Sequence, residues 1–100
     1  MSVRAYHFWS PTCGPCHHIR PAVEQLKLDF AEVKWESVDT RDDKKALAVV
    51  YNVKVVPTIV VEVLDNKGKV IGGQRASGTD MMGYHRMIRS AIKAVSNLPQ

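Results

Sequence analysis

The only two cysteines of the chain stand two residues apart, at Cys13-Gly14-Pro15-Cys16, where an apolar run ends and a helical pattern begins. At the first turn of a helix, unpaired backbone N–H groups and the positive end of the helix dipole favour thiolate over thiol at the N-terminal cysteine. The second cysteine, one turn on, is close enough to close a short disulfide ring. Pro15 suits the first turn, where no backbone N–H is needed, and it stiffens the spacer between the sulfurs. The chemistry on offer is thiol–disulfide exchange, with Cys13 as nucleophile and Cys16 as resolving thiol.

Other groups near the cysteines widen the choice. His17 and His18 follow Cys16 directly. A protonated imidazole there would stabilise thiolate and make the couple more oxidising, whereas two side chains on the solvent face of the helix would do nothing. Cys13-x-x-Cys16-His17 also satisfies the c-type haem attachment pattern, but a strand precedes it and no export signal does. Cys13, Cys16 and a histidine would supply three ligands to zinc, or two chains would share an iron–sulfur cluster. A Gly-Pro spacer suits a disulfide turn better, and no second ligand pair follows. No metal or other cofactor is expected, only the redox-active Cys13–Cys16 pair.

With 100 residues, 45% of them apolar, the chain is expected to be one domain over 1–100 with a single modest core. The net charge of +4 is interleaved along the sequence, which argues a solvated surface and against a nucleic-acid partner. Nothing approaches the roughly 18 consecutive apolar residues of a membrane span. Met1 to His7 reads as the start of a strand, not as a signal peptide. The expectation is a cytoplasmic monomer, and in a reducing compartment two cysteines are more often catalytic or metal-binding than structural.

The elements that would position the cysteines follow from periodicity. Val3 to Trp9 reads as a central strand covered on both faces. Ile19, Ala22, Val23, Leu26 and Phe30 recur at helical steps from Cys13 onward, with a kink expected at Pro21. Val33 to Val38 reads as a strand with Val33 and Trp35 on one face and Val38 on the other. Thr40-Arg41-Asp42-Asp43 looks like a capping box opening a short helix through Ala46, Leu47, Val50 and Tyr51. Val55 to Leu64, rich in β-branched residues, is a buried strand joined by the turn Asp65-Asn66-Lys67-Gly68 to Lys69-Val70-Ile71. Gly72-Gly73 suggests a bulge or close backbone approach. Thr79 or Asp80 caps a last helix with the stripe Met81, Tyr84, Ile88, Ala91 and Val95. The class is α/β, in the order β-α-β-α-β-β-α, with a mixed four-stranded sheet, helices on both faces, and the Val3 and Val55 strands central.

Phe8-Trp9, Cys13-Gly14-Pro15-Cys16, Pro21, Val38-Asp39 and Val56-Pro57-Thr58 together resemble the thioredoxin family over nearly the whole chain. The resemblance implies the thioredoxin fold and a protein-disulfide reductase acting through a mixed disulfide. It implies a cis Pro57 packed against the cysteines and a Val56 backbone that bonds a bound peptide. It also sets Trp9 over the disulfide, where the bare pattern would make it core. Substrate contacts would come from Trp9, Thr12, Gly14, Pro15, Val56 and Pro57, with Ala76 to Gly78 nearby. Protein disulfides would be the substrates, and a flavin-dependent thioredoxin reductase or a glutathione system the electron donor. A thiol-independent binding module that clamps a partner is the rival within the same family.

Three departures qualify the resemblance. The chain reads as lacking the strand and helix that usually precede the Val3 strand, as in the minimal core of glutaredoxins. Thr12 stands where the family has an aromatic residue. His7 occupies the place of a buried aspartate that serves the resolving cysteine, and Trp35 that of its lysine partner. Imidazole titrates near neutral pH, so His7 is a candidate proton acceptor for Cys16; otherwise it is a neutral core histidine bonded to backbone or water. His85, on the last helix, carries no functional reading.

Overall fold

Apolar and aromatic residues from Ser2 to Trp9 form β1, a strand bonded along both edges in the computed structural model, which describes residues 1–97. After it come α1 (Gly14–Asp29), β2 (Lys34–Asp39), α2 (Leu47–Val50), β3 (Thr58–Leu64), β4 (Val70–Ser77) and α3 (Met81–Asn97). The sheet order is β2-β1-β3-β4, with β2 parallel to β1 and both other pairings antiparallel. The expected order of elements and the two central strands are thus observed.

Alternation along β1 divides the interior. Val3 and Ala5 face α1 and α3, joining Val23, Ile59 and Ile88, all wholly buried or nearly so. Burial of each such large side chain contributes about 1.5–3 kcal/mol. Tyr6 and Phe8 point the other way, to Val38, Val60 and the short α2. Trp35 packs on the α1 side and donates its indole N–H to the Phe30 carbonyl at 3.1 Å. His7 follows the odd-numbered register onto the α1 face, so the period of β1 delivers it to the side that carries the cysteines.

Several local expectations are corrected. Thr40 caps no helix; its hydroxyl donates to the Trp9 carbonyl at 3.2 Å. The cap is the Asp43 carboxylate, which accepts the N–H groups of Leu47 and Ala48, while Ala46 sits in the left-handed region at φ 52°. The turn between needs those residues, so α2 keeps only Leu47–Val50, with Ala46 and Tyr51 outside it. β3 begins at Thr58, not Val55, and the Val56-Pro57 bond just before it is cis, as the resemblance implies. β4 continues through Gly72-Gly73 to Ser77, and the irregularity falls one residue earlier, where Ile71 has no partner between the Val63–Gly72 and Leu64–Val70 pairs. At Gly73 the close approach is real: a Cβ would meet the Val61 carbonyl at 3.1 Å. Helix continues on both sides of Pro21, where the kink is expected, with Ile19 and Val23 buried. On α3 the stripe gains Met87, and the Asp80 carbonyl accepts the Tyr84 N–H as the helix opens.

Among the described residues no helix is long and apolar enough to cross a membrane.

Candidate functional site

Cys13 sits one residue ahead of α1 in an extended conformation, and its sulfur does the work of a capping side chain. The Cys16 N–H donates to Cys13 Sγ at 3.1 Å, in the place where Ser or Asp oxygen usually accepts. The loop before it is closed by the Cys13 N–H on the Ser10 carbonyl at 3.1 Å, and Ser10 Oγ lies 3.2 Å from Thr12 Oγ1. Cys13 and Cys16 are joined as a disulfide with Cα atoms 5.2 Å apart. Cys13 is partly exposed while Cys16 is buried, so an incoming group reaches the first sulfur and not the second.

Gly14 and Pro15 occupy the first two helical positions, and nothing crowds the space a Gly14 side chain would take. Opposite them lies the loop before β3. The Val56 carbonyl oxygen is 3.7 Å from Cys13 Sγ. The neighbouring Pro57 is buried, and its carbonyl accepts the Gly78 N–H at 2.9 Å and the Tyr84 hydroxyl at 3.3 Å. Tyr84 also donates to the Gly78 carbonyl. Burial, aided by Asp80, pushes the Tyr84 phenol up to about 12, so it stays a donor. The Thr58 hydroxyl lies 2.7 Å from the Val55 carbonyl, to which it donates, and 2.6 Å from Ser77 Oγ. Ala76 pairs with Ile59, Ser77 with Thr58, and the Gly78 N–H bonds the Pro57 carbonyl, so the end of β4 runs beside the start of β3.

His7 lies behind the disulfide on β1, paired with Ser37 on one side and Ile59 on the other. It is 7% exposed, and neither ring nitrogen has a hydrogen-bond partner among the described residues. Of the reading of His7 as a neutral core histidine bonded to backbone or water, the backbone bond is not found among the described residues. Burial lowers its pKa to about 4, with help from the Lys27 cation and against a small opposing pull from Glu24. The ring faces a cavity of about 230 Å³ that it shares with Trp9, Cys16, Arg20, Glu24 and Ser37. His7 and the resolving sulfur thus border one space, and Trp9 borders it too.

The remaining histidines separate. His17 donates Nε2–H to the Pro11 carbonyl at 2.7 Å and reaches the cavity mouth. His18 is exposed, and His85 stacks edge-on against Phe30 at 4.8 Å. Among the described residues no group of three or more His, Cys, Asp and Glu side chains converges on a point. Sequence reasoning missed Glu24, Lys27, Ser37 and Tyr84. The Glu24–Lys27 spacing of three was visible as a helical pair, but nothing in it pointed to the cavity.

Against this geometry stand the likenesses to known proteins. The thioredoxin family model matches residues 5–82. Chloroplastic thioredoxin M4 of Arabidopsis thaliana is 42% identical over 55 residues, 54% of this chain and 28% of that protein. A chloroplastic M-type thioredoxin of Brassica napus is 37% identical over 67 residues, 66% of this chain and 37% of that protein. The chain spans half or less of the length of these curated relatives. Among solved structures, the thioredoxin of Fasciola hepatica superposes with a TM-score of 0.74 at 30% identity, covering 90% of this chain and 81% of that one. That of Trypanosoma brucei brucei gives 0.74 at 24% identity over 92% and 76%, a likeness of fold.

Proposed function

Because the chain belongs to the thioredoxin family, we propose that it is a thiol–disulfide oxidoreductase that reduces disulfides in proteins. One observation carries the reading: a partly exposed sulfur, Cys13, takes the Cys16 N–H at a helix start and forms its disulfide with a buried one. In the reduced chain the Cys13 thiolate attacks a substrate disulfide, forming the Cys13–substrate bond and releasing the first substrate sulfur as thiolate. Cys16 loses its proton and attacks Cys13 Sγ. The mixed disulfide breaks, the second substrate sulfur leaves as thiolate, and two electrons have passed to the substrate. A thiol donor, a thioredoxin reductase or two thiols of a glutathione system, supplies two electrons and returns the Cys13–Cys16 disulfide to dithiol.

His7 takes the Cys16 proton in the second step. It is neutral at physiological pH, its ring nitrogens have no hydrogen-bond partner among the described residues, and it borders the same cavity as Cys16. Burial makes its conjugate acid strong, but the thiolate forming beside it favours the imidazolium while the transfer lasts. Extended substrate lies against the backbone of Val56 and Pro57, with Trp9, Thr12, Gly14 and Pro15 forming the rest of the shallow surface. Thr12 gives that surface a hydroxyl where an aromatic would give it a flat apolar face.

An insulin-type reduction assay driven by a dithiol tests the activity. The Cys16→Ser variant is expected to accumulate a stable Cys13-linked mixed disulfide, and Cys13→Ser to do nothing. A freshly reduced chain that neither reduces insulin nor forms its own bridge would overturn the proposal.

A further inference from the structure

Resting on the reading of His7 as base, we propose that Glu24 is the exit through which the Cys16 proton leaves the buried histidine for solvent. His7 is enclosed: β3 offers it Ile59, β2 offers Ser37, and every titratable group that borders its cavity besides His7 itself (Cys16, His17, Arg20 and Glu24) comes from α1. Of these only Glu24 is a carboxylate. Its side chain is 61% exposed, so one group touches both the cavity and bulk water. Arg20 cannot accept a proton, and His17 has one ring nitrogen engaged by the Pro11 carbonyl.

Lys27 fixes the carboxylate at that place. Its ammonium donates to Glu24 Oε1 at 3.3 Å and to Ser37 Oγ at 2.8 Å, and Ser37 is the β-ladder partner of His7. The ammonium therefore bridges α1 to the strand residue next to the histidine, with its side chain 20% exposed. The cation also disfavours a lasting imidazolium, which drives the proton outward. A cavity of about 230 Å³, bordered by the polar side chains of Arg20, Glu24 and Ser37, has room for water to link the ring to the carboxylate. The balance is simple: Cys16 S–H gives its proton to a His7 nitrogen, its electron pair forms the Cys13–Cys16 bond, and the imidazolium passes the proton by water to Glu24 and so to buffer.

Stopped-flow reaction of the full reduced chain with an aromatic disulfide, whose thiolate is coloured, separates the steps. The first coloured release reports attack by Cys13 and the second reports resolution by Cys16. In dilute buffer Glu24→Gln is expected to slow the second release about tenfold and leave the first unchanged, with added imidazole buffer restoring the rate. An unchanged first release also shows that the variant is folded. If His7→Asn slows resolution but Glu24→Gln does not, the exit is overturned and the base stands. If His7→Asn has no effect, the base itself fails and the exit with it. A slow Glu24→Gln that imidazole does not rescue is a change of shape, and it overturns the proposal too.

Discussion

The Cys16 N–H lies 3.1 Å from Cys13 Sγ and donates to it, so each sulfur of the pair has a different electrical environment. A backbone donor and a helix N-terminus both favour charge on Cys13, while Cys16 is buried behind it. In the reduced chain Cys13 is therefore expected to be the sulfur that more readily carries charge and reacts first with an electrophile. Mass spectrometry after brief iodoacetamide treatment at neutral pH checks this, with Cys13 labelled at least about tenfold faster. Equal labelling would remove the basis for assigning nucleophile and resolver.

His7 should make stability depend on pH in a definite window. Its folded pKa, about 4, lies below the unfolded value of about 6.5, so between them the unfolded chain binds more protons. The neutral ring's contribution is complete above about 6.5 and is lost as pH falls through about 4; the full difference is on the order of 3 kcal/mol. Carboxylates titrate in part of the same range, so the useful quantity is the difference between the wild type and His7→Leu. That difference in urea unfolding free energy should shift in the wild type's disfavour from pH 7 to pH 4. A constant difference would mean that His7 gains a partner or water access the fold does not reveal.

Asp43, not Thr40, should carry the start of α2. Its two oxygens take the Leu47 N–H at 2.9 Å and the Ala48 N–H at 2.8 Å. Asp43→Ala is expected to cost about 1–2 kcal/mol, and Thr40→Val, which loses one bond to Trp9, about 0.5–1 kcal/mol. Chemical denaturation of both variants gives the comparison. The reverse ranking would restore the capping box read from sequence.

The difference between those two residues shows what a linear pattern can and cannot carry. Strand and helix periods placed β1, α1, β3 and α3 well, because buried faces repeat at fixed steps and each step is local. The Cys13–Cys16 chemistry was legible for the same reason, since spacer and helix start are contiguous. Thr40 failed because Ser/Thr-x-x-acid describes a cap only if the next residue turns helical, and here Ala46 goes left-handed first. The cis Pro57 that the family resemblance implies is observed, but the β3 start moved to Thr58, because an apolar, β-branched run does not say at which residue strand pairing begins. His7 could be placed on a strand face but not shown to lack partners, which requires knowing every neighbour. The contact of Lys27 with Ser37 joins residues ten apart through a helix, a loop and a strand. Tyr84 meets Pro57 twenty-seven residues away, beyond any repeat in the sequence.

That last contact makes a prediction about substrate binding. Tyr84 comes from α3, the element farthest along the chain from Cys13, yet its hydroxyl donates to the carbonyls of both Pro57 and Gly78. It thereby ties the loop before β3, whose Val56 carbonyl lies 3.7 Å from Cys13 Sγ, to the loop after β4, the two stretches proposed to bind substrate. In Tyr84→Phe the Pro57 carbonyl keeps the Gly78 N–H, but the Gly78 carbonyl loses its phenol donor. The loss is expected to cost about 1–3 kcal/mol of stability. Looser loops should raise KM for a protein disulfide by a few-fold, because extended substrate must bond a fixed backbone. A small aromatic disulfide, which needs only Cys13, should react at the wild-type rate. Steady-state kinetics with both substrates decides the matter, and a parallel loss on both would place Tyr84 in the support of the sulfur pair and not of the binding loops.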